Sequence, residues 1–189
     1  MNTKNHVAVL GGGSFGTVLA NVAASNGYEV RLWVRDADQA LRINSEGANT
    51  VYHPELKLSE NISASEDLET IVDGAQYILV ATPSLIFEKI VARLEPLIDS
   101  SVSIISCTKG IQPEPFRTMT DIIAHHLGQI VGDQIGALSG PNLAKEIAEN
   151  KIAGTVIASR NKNLSTEMKA MLSSGTFKVF SSKDIQGVE

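Results

Sequence analysis

The 189-residue chain has a single cysteine, Cys107, so no internal disulfide can form. It also has no excess of basic residues, because 16 Lys and Arg are interspersed with 21 Asp and Glu and the formal net charge is −5. A basic stripe of the kind that binds a polyanion is absent, which makes nucleic acid a poor candidate partner. No apolar run approaches the roughly 20 residues of a membrane helix, so no integral membrane segment is predicted.

The polar start "MNTKNH" lacks the layout of a secretory signal, and we therefore expect a cytoplasmic location. Hydrophobic residues make up 43% of the chain, which is sufficient for one sizeable domain over residues 1–189. The end "FSSKDIQGVE" has neither a polar tail nor a terminator. We interpret it as a sign that more structure follows in a longer protein.

Short runs rich in β-branched residues alternate with amphipathic stretches along the chain. The predicted strands cover residues 6–10, 29–34, 77–81, 102–107, 135–138, 155–158 and 177–180. The predicted helices cover residues 14–26, 36–45, 66–72, 84–98, 115–127, 142–149 and 164–174. Repeated alternation of strand and helix predicts an α/β fold with a doubly wound, mostly parallel sheet and helices on both faces. Residues 47–65 interrupt the alternation and are predicted to form a long irregular excursion.

A glycine cluster in "AVLGGGSFGTVLA" follows the first predicted strand and opens the first predicted helix. Gly11, Gly13 and Gly16 fit the pattern G-x-G-x-x-G, which in this context predicts a Rossmann-type dinucleotide site. Gly11 would permit the tight turn, Gly13 the approach of a pyrophosphate, and Gly16 close packing of helix on sheet. The amides near Ser14 and Phe15 would face the phosphate charge at the positive end of the helix dipole. A glycine-rich turn without a ligand is the alternative.

The second predicted strand ends without the acidic residue that is typical of an NAD site. Val34 carries no carboxylate to repel a 2′-phosphate, and Arg35 can bind one through charge-assisted hydrogen bonds. We therefore expect NADP(H) to be accepted, with a preference over NAD(H) on the order of ten- to a hundredfold if such contacts contribute about 1.5–3 kcal/mol. The adjacent Asp36 weakens this inference, and a merely solvated Arg35 is the alternative.

Polar residues follow the next two predicted strands, where ligands of open α/β sheets bind. Thr82, Pro83 and Ser84 either form an ordinary helix start or flank the nicotinamide side of a cofactor. Lys109 is either solvated or donates a hydrogen bond to a carbonyl oxygen that gains charge during a reaction. Cys107 is predicted to pack as a small apolar group.

Gly140 and Asn142 follow the fifth predicted strand at the start of a helix. Asn142 could cap this helix or contact a ligand. No metal site is predicted, because the histidines of irregular or helical segments lack metal-ligand spacing. These are interpreted as surface or packing residues: His53, His125 and His126.

Six segments resemble, in order, those of the bacterial NAD(P)-dependent glycerol-3-phosphate dehydrogenases: GGGSFGTVLA, VRLWVR, ILVATPS, CTKGI, LSGPNLAKEIA and IQGVE. The resemblance runs nearly from end to end, and CTKG with SGPNLAKE is its most specific part. It implies reversible hydride transfer between NADPH or NADH and dihydroxyacetone phosphate, which gives sn-glycerol 3-phosphate for phospholipid synthesis.

The resemblance also implies roles for individual residues. Its implied cofactor contacts are Ser14, Phe15, Arg35 and Ala144. Lys109 would touch both cofactor and substrate, while Gly140 and Asn142 would line the substrate site. Many relatives have Ser or Thr in place of Asn142, although an amide also offers a donor and an acceptor.

Members of this family continue past GVE into a helical substrate domain, which brings the lysine that transfers the proton and the groups that bind the substrate phosphate. We therefore expect this chain to bind the cofactor but to catalyse little alone. The implied partner is the small-molecule substrate. A homodimer of the full-length protein is possible, but the sequence does not determine the oligomeric state.

Two rival interpretations remain. Another NADP-dependent reductase, such as a ketopantoate reductase or a β-hydroxyacid dehydrogenase, would share the glycine pattern, but the later motifs argue against it. A non-catalytic NADP(H)-sensing module would share the cofactor site, but Lys109 at the crevice favours catalysis.

Overall fold

A computed structural model describes residues 6–130 and 132–189 of the chain. The strands are β1 (His6–Leu10), β2 (Val30–Trp33), β3 (Ile62–Ser65), β4 (Ala75–Val80), β5 (Ser103–Ser106), β6 (Ile111–Pro113), β7 (Phe116–Thr118), β8 (Ile135–Ser139), β9 (Ala153–Ala158) and β10 (Phe177–Ser182). The α-helices are α1 (Ser14–Ser25), α2 (Ala37–Glu46), α3 (Leu68–Val72), α4 (Ser84–Ala92), α5 (Met119–His126), α6 (Ala144–Ala148), α7 (Lys162–Leu172) and α8 (Ile185–Val188). No helix of this described part is long and apolar enough to cross a membrane.

The main sheet has eight strands in the order β10-β9-β8-β5-β4-β1-β2-β3. Neighbouring strands from β8 to β3 run parallel, whereas β9 is antiparallel to β8 and β10 is parallel to β9. Chain order reverses between β1 and β4, because the chain proceeds outward from β1 through β2 and β3 before it returns to β4. The prediction of a doubly wound, mostly parallel α/β sheet is confirmed.

Strand β1 lies inside the sheet and is buried on both faces. Val7 and Val9 belong to the core that includes α1 and α7, whereas Ala8 and Leu10 belong to the core that includes α4 and α5. Side chains alternate between the two faces of a strand, and here both faces are covered by helices. This double burial explains the uninterrupted apolar run before the glycine cluster.

The prediction of a helix over residues 115–127 is wrong at its start. Phe116–Thr118 pairs with Ile111–Pro113 in an antiparallel hairpin, and α5 begins only at Met119. Thr118 ends the hairpin and caps α5, since its hydroxyl accepts from the amide of Asp121 while the Asp121 carboxylate accepts from the amide of Thr118.

Two other differences concern the length and identity of elements. The helix predicted over residues 84–98 ends at Ala92. The excursion predicted over residues 47–65 contains β3, which pairs with β2 at the edge of the sheet. Its sequence ISAS buries only Ala64, so it lacks the run of large apolar residues that identifies a strand.

Candidate functional site

A crevice runs along the carboxyl ends of the central strands, where ligands of open α/β sheets bind. Its first half, the α2 cavity, has a volume of about 360 Å³ and is lined by the glycine-rich loop, the end of β2 and α2. Its second half, the Lys109 cavity, has a volume of about 430 Å³ and is lined by the start of α1 and the segments after β4 and β5. The halves share these lining residues: Gly13, Tyr52, Ala81, Thr82 and Pro83.

The glycines of the loop differ in what they do for the fold. Gly11 has φ +125°, and a Cβ there would lie 2.5 Å from the carbonyl oxygen of Ala81. A Cβ on Gly16 would lie 1.9 Å from the carbonyl oxygen of Gly11. Both positions therefore need glycine for the turn and for the approach of α1 to β1.

Gly13 is different, because nothing lies within 4 Å of a Cβ built there. Its φ of −79° and ψ of −173° suit any residue, so the backbone does not require glycine. Gly13 lines both cavities, and a methyl group there would fill space in the crevice. The missing side chain leaves main chain bare where a ligand can approach it.

The N-terminus of α1 opens onto this bare main chain. Gly13 is the N-cap and supplies no side-chain cap, and the first turn carries no acidic residue. The amides of a first helical turn have no partner within the helix, and the helix dipole makes this end positive. The loop therefore has the donors and the field that bind a phosphate group.

The loop after α2, residues 47–61, holds the glycine-rich loop in place. Asn49 donates from Nδ2 to the carbonyl oxygen of Gly12 (3.0 Å) and to Oγ1 of Thr17 (2.8 Å). From α2 itself, Gln39 donates from Nε2 to the same Gly12 oxygen (2.7 Å). Sequence reasoning missed these residues, although a long irregular loop in a compact domain is itself typical of a functional segment.

His53 in this loop contacts the first residue of α1. Its Nε2 lies 2.9 Å from the carbonyl oxygen of Ser14 and 3.0 Å from the Ser14 hydroxyl. A carbonyl oxygen can only accept, so Nε2 carries the proton and the Ser14 hydroxyl can donate its own proton elsewhere. His53 is 7% exposed and therefore acts as a packing residue behind the first turn of α1.

The end of β2 places Arg35 in the wall of the α2 cavity. The adjacent Asp36 caps α2, since its Oδ1 accepts from the amides of Asp38 (2.8 Å) and Gln39 (3.2 Å). Asp36 also lines this cavity, so its carboxylate caps α2 but still places a negative charge beside Arg35.

Lys109 connects the loops that follow β5 and β8. Its Nζ donates to the carbonyl oxygen of Gly140 (2.7 Å) and lies 3.4 Å from Oγ of Ser139. An ammonium group has three donors, so one remains for a further acceptor. Lys109 is exposed and lines its cavity with Asn142.

Two buried polar atoms at this cavity lack a hydrogen-bond partner among the described residues: Oγ1 of Thr82 and Oδ1 of Asn142. The amide nitrogen of Asn142 is engaged, since it donates to Oγ1 of Thr155 (3.0 Å). Buried polar atoms are nearly always paired in folded proteins, so these fit a site that receives a polar ligand.

The remaining predicted residues lie at the margins. Gly140 has φ +153° and holds Lys109 through its carbonyl group. Ala144 lines a neighbouring cavity with Ser14 rather than the crevice itself. Cys107 lines the Lys109 cavity but is buried, and burial raises the pKa of its thiol, which keeps it protonated as expected of a packing residue.

The family model and the curated relatives that match this chain agree on one family. Residues 6–165 match the family model described as NAD-dependent glycerol-3-phosphate dehydrogenase N-terminus. A glycerol-3-phosphate dehydrogenase [NAD(P)+] of Alcanivorax borkumensis is 41% identical over 186 residues, which is 98% of this chain and 53% of that protein. The chain thus spans about half the length of the curated relatives that it matches.

Solved structures agree with this comparison. The crystal structure of a glycerol-3-phosphate dehydrogenase from Coxiella burnetii has a TM-score of 0.91 and 35% identity, over 98% of this chain and 56% of that one. A ketopantoate reductase from Ralstonia eutropha has a TM-score of 0.70 and 20% identity, over 96% of this chain and 58% of that one. This second likeness shows a shared fold alone.

Proposed function

The chain belongs to the NAD-dependent glycerol-3-phosphate dehydrogenase family, in its N-terminal part, and from this premise we propose that it is the cofactor-binding domain of an oxidoreductase acting on dihydroxyacetone phosphate and sn-glycerol 3-phosphate. The observation that carries the proposal is the bare main chain at Gly13, next to the uncapped start of α1. No fold requirement explains glycine at this position, whereas the approach of a diphosphate does.

The crevice residues divide between the two ends of the cofactor. The amides of Gly13, Ser14 and Phe15 would bind the diphosphate, and Arg35 in the α2 cavity would bind the adenosine end. The other end would enter the Lys109 cavity beside Pro83. Both NADP(H) and NAD(H) fit this arrangement, and the bound cofactor would supply or accept the hydride.

Lys109 would act on the substrate carbonyl. Its remaining N–H can donate to the carbonyl oxygen, which becomes negative as the carbon receives hydride. Its bond to Gly140 holds Nζ in place beforehand, so little reorganisation is needed. Asn142 would offer its unpaired Oδ1 to a substrate hydroxyl. The resemblance implies that Gly140 lines the substrate site and that Ala144 contacts the cofactor.

Residues 1–189 are proposed to act as one dinucleotide-binding domain. The helical substrate domain that the resemblance implies would supply the proton-transferring lysine and the phosphate-binding groups. A homodimer of the full-length protein and a cytoplasmic location stay predictions of the sequence.

Titration of the 189-residue chain with NADPH and NADH, followed by nicotinamide fluorescence, tests the cofactor proposal. We expect saturable binding of both. A steady-state assay with dihydroxyacetone phosphate and NADPH should give very little turnover, since loss of proton transfer alone lowers rates by about 10²–10⁴. No binding of either nucleotide would refute the cofactor role, and turnover near that of a full-length relative would refute the proposed need for a second domain.

The rival interpretations have separate tests. A complete protein carrying this domain should reduce dihydroxyacetone phosphate and not ketopantoate. If the Lys109→Ala variant of that protein kept full activity, Lys109 would have no catalytic role, and this result would favour the sensing-module interpretation.

A further inference from the structure

Arg42 on α2 faces the crevice instead of forming the ion pairs that its helix offers. Asp38 and Glu46 stand four residues before and after it, the spacing at which helical salt bridges form. Over residues 6–130 and 132–189, no carboxylate lies within 4.0 Å of the Arg42 guanidinium. The side chain is instead half-buried in the wall of the α2 cavity.

Arg35, two residues before α2, lines the same cavity and, like Arg42, forms no ion pair with a described carboxylate. Helical side chains lean toward the N-terminus of their helix, so Arg42 leans toward the end where Arg35 lies. Of the two acids between them in the sequence, Asp36 and Asp38, Asp36 lines the cavity while its Oδ1 caps the amides of α2. Two arginines and one carboxylate line this cavity, which leaves an excess of positive charge there in a chain whose net charge is −5.

We infer that Arg42, together with Arg35, binds the 2′-phosphate of NADP(H) and is a specificity-determining residue for that cofactor over NAD(H). This inference rests on the proposed function. A phosphate monoester carries nearly two negative charges and several acceptor oxygens, which suits two arginine forks better than one. NAD(H) has only a hydroxyl at this position and gains little from Arg42.

The test is calorimetric binding of NADPH and NADH to the 189-residue chain and to its Arg42→Gln, Arg42→Lys and Arg160→Gln variants. Arg160 is an exposed arginine outside the crevice, so its replacement makes the same change in net charge without touching the cavity. Thermal unfolding of each variant checks that the fold is kept.

Arg42→Gln should weaken NADPH binding about tenfold or more and leave NADH binding within about twofold, as expected for the loss of one charge-assisted contact. Arg42→Lys should keep more NADPH affinity than Arg42→Gln, and Arg160→Gln should change neither affinity. The inference is overturned if Arg42→Gln leaves the ratio of the two affinities unchanged, or if Arg160→Gln lowers NADPH binding as much. If the unmodified chain binds neither nucleotide, the proposed function itself fails, and the inference fails with it.

Discussion

Replacement of Gly13 by alanine should weaken cofactor binding roughly ten- to a hundredfold while the fold is retained. The new methyl group meets nothing within 4 Å, and φ −79° with ψ −173° is open to alanine. Alanine lowers the entropy of the unfolded chain, which stabilises by about 0.4–1 kcal/mol, but it is a poorer N-cap than glycine by a comparable amount. The free energy of unfolding should therefore change by less than about 1 kcal/mol.

Binding should respond much more strongly, because the methyl group would occupy the open space at Gly13 where the proposed site brings the diphosphate to the main chain. Forcing an extra methyl group into a packed contact costs about 1–3 kcal/mol, which corresponds to a loss of affinity of roughly ten- to a hundredfold. Denaturant unfolding and NADPH fluorescence titration measure the two effects on the same samples.

Two further glycine variants serve as controls. Gly128→Ala adds a methyl group in open space outside the crevice, so it should leave NADPH binding unchanged and shift the free energy of unfolding by less than about 1 kcal/mol. Gly16→Ala should lower the free energy of unfolding by about 1–3 kcal/mol, because its Cβ would lie 1.9 Å from the carbonyl oxygen of Gly11. If Gly13→Ala kept the fold and bound NADPH as tightly as the unmodified chain, the diphosphate would not lie on this loop.

Further predictions concern other residues of the crevice and core. Arg35→Ala should weaken binding of NADPH more than binding of NADH in a fluorescence titration, by about tenfold or more, and equal, unchanged affinities would remove Arg35 from this role. Asn49→Ala should lower the free energy of unfolding by about 1–3 kcal/mol in urea titrations, because it leaves Gly12 and Thr17 with fewer partners, and no change would show that the 47–61 loop does not hold the glycine-rich loop. Burial lowers the pKa of His6 below 6.5, so the chain should lose stability as pH falls from 6.5 through the lowered pKa of the folded state. A His6→Gln variant should lose less stability over that range, and an equal loss in both proteins would contradict this.

The sequence predicted the central part of the fold well because its strands are buried on both faces. β1 and the second half of β4 carry buried apolar runs, and the glycines of the motif follow β1 at the start of α1. Apolar runs and the glycines that follow them are local signals, which can be recognised in a single sequence. The edge of the sheet gave weaker signals, since β3 buries only Ala64 and was not predicted.

Site residues that act across long sequence separations were not predictable in the same way. Asn49 and His53 hold Gly12 and Ser14 from more than thirty positions away, and only the folded chain brings them together. Arg42 lies in an ordinary amphipathic helix, where nothing in the sequence distinguishes an arginine that faces a cavity from one that faces water. The placement of Lys109 at the crevice was predictable from its position at a strand end, because parallel strands bring their carboxyl ends to one edge of the sheet.

The backbone amide resonances of Gly13, Ser14 and Phe15 in a nitrogen-15-labelled chain test the central claim most directly. On saturation with NADPH, these three amides should show the largest shifts, toward the values of amides that donate to a phosphate oxygen. Saturable NADPH binding that left all three resonances in place would contradict the account, because the diphosphate would then be bound elsewhere.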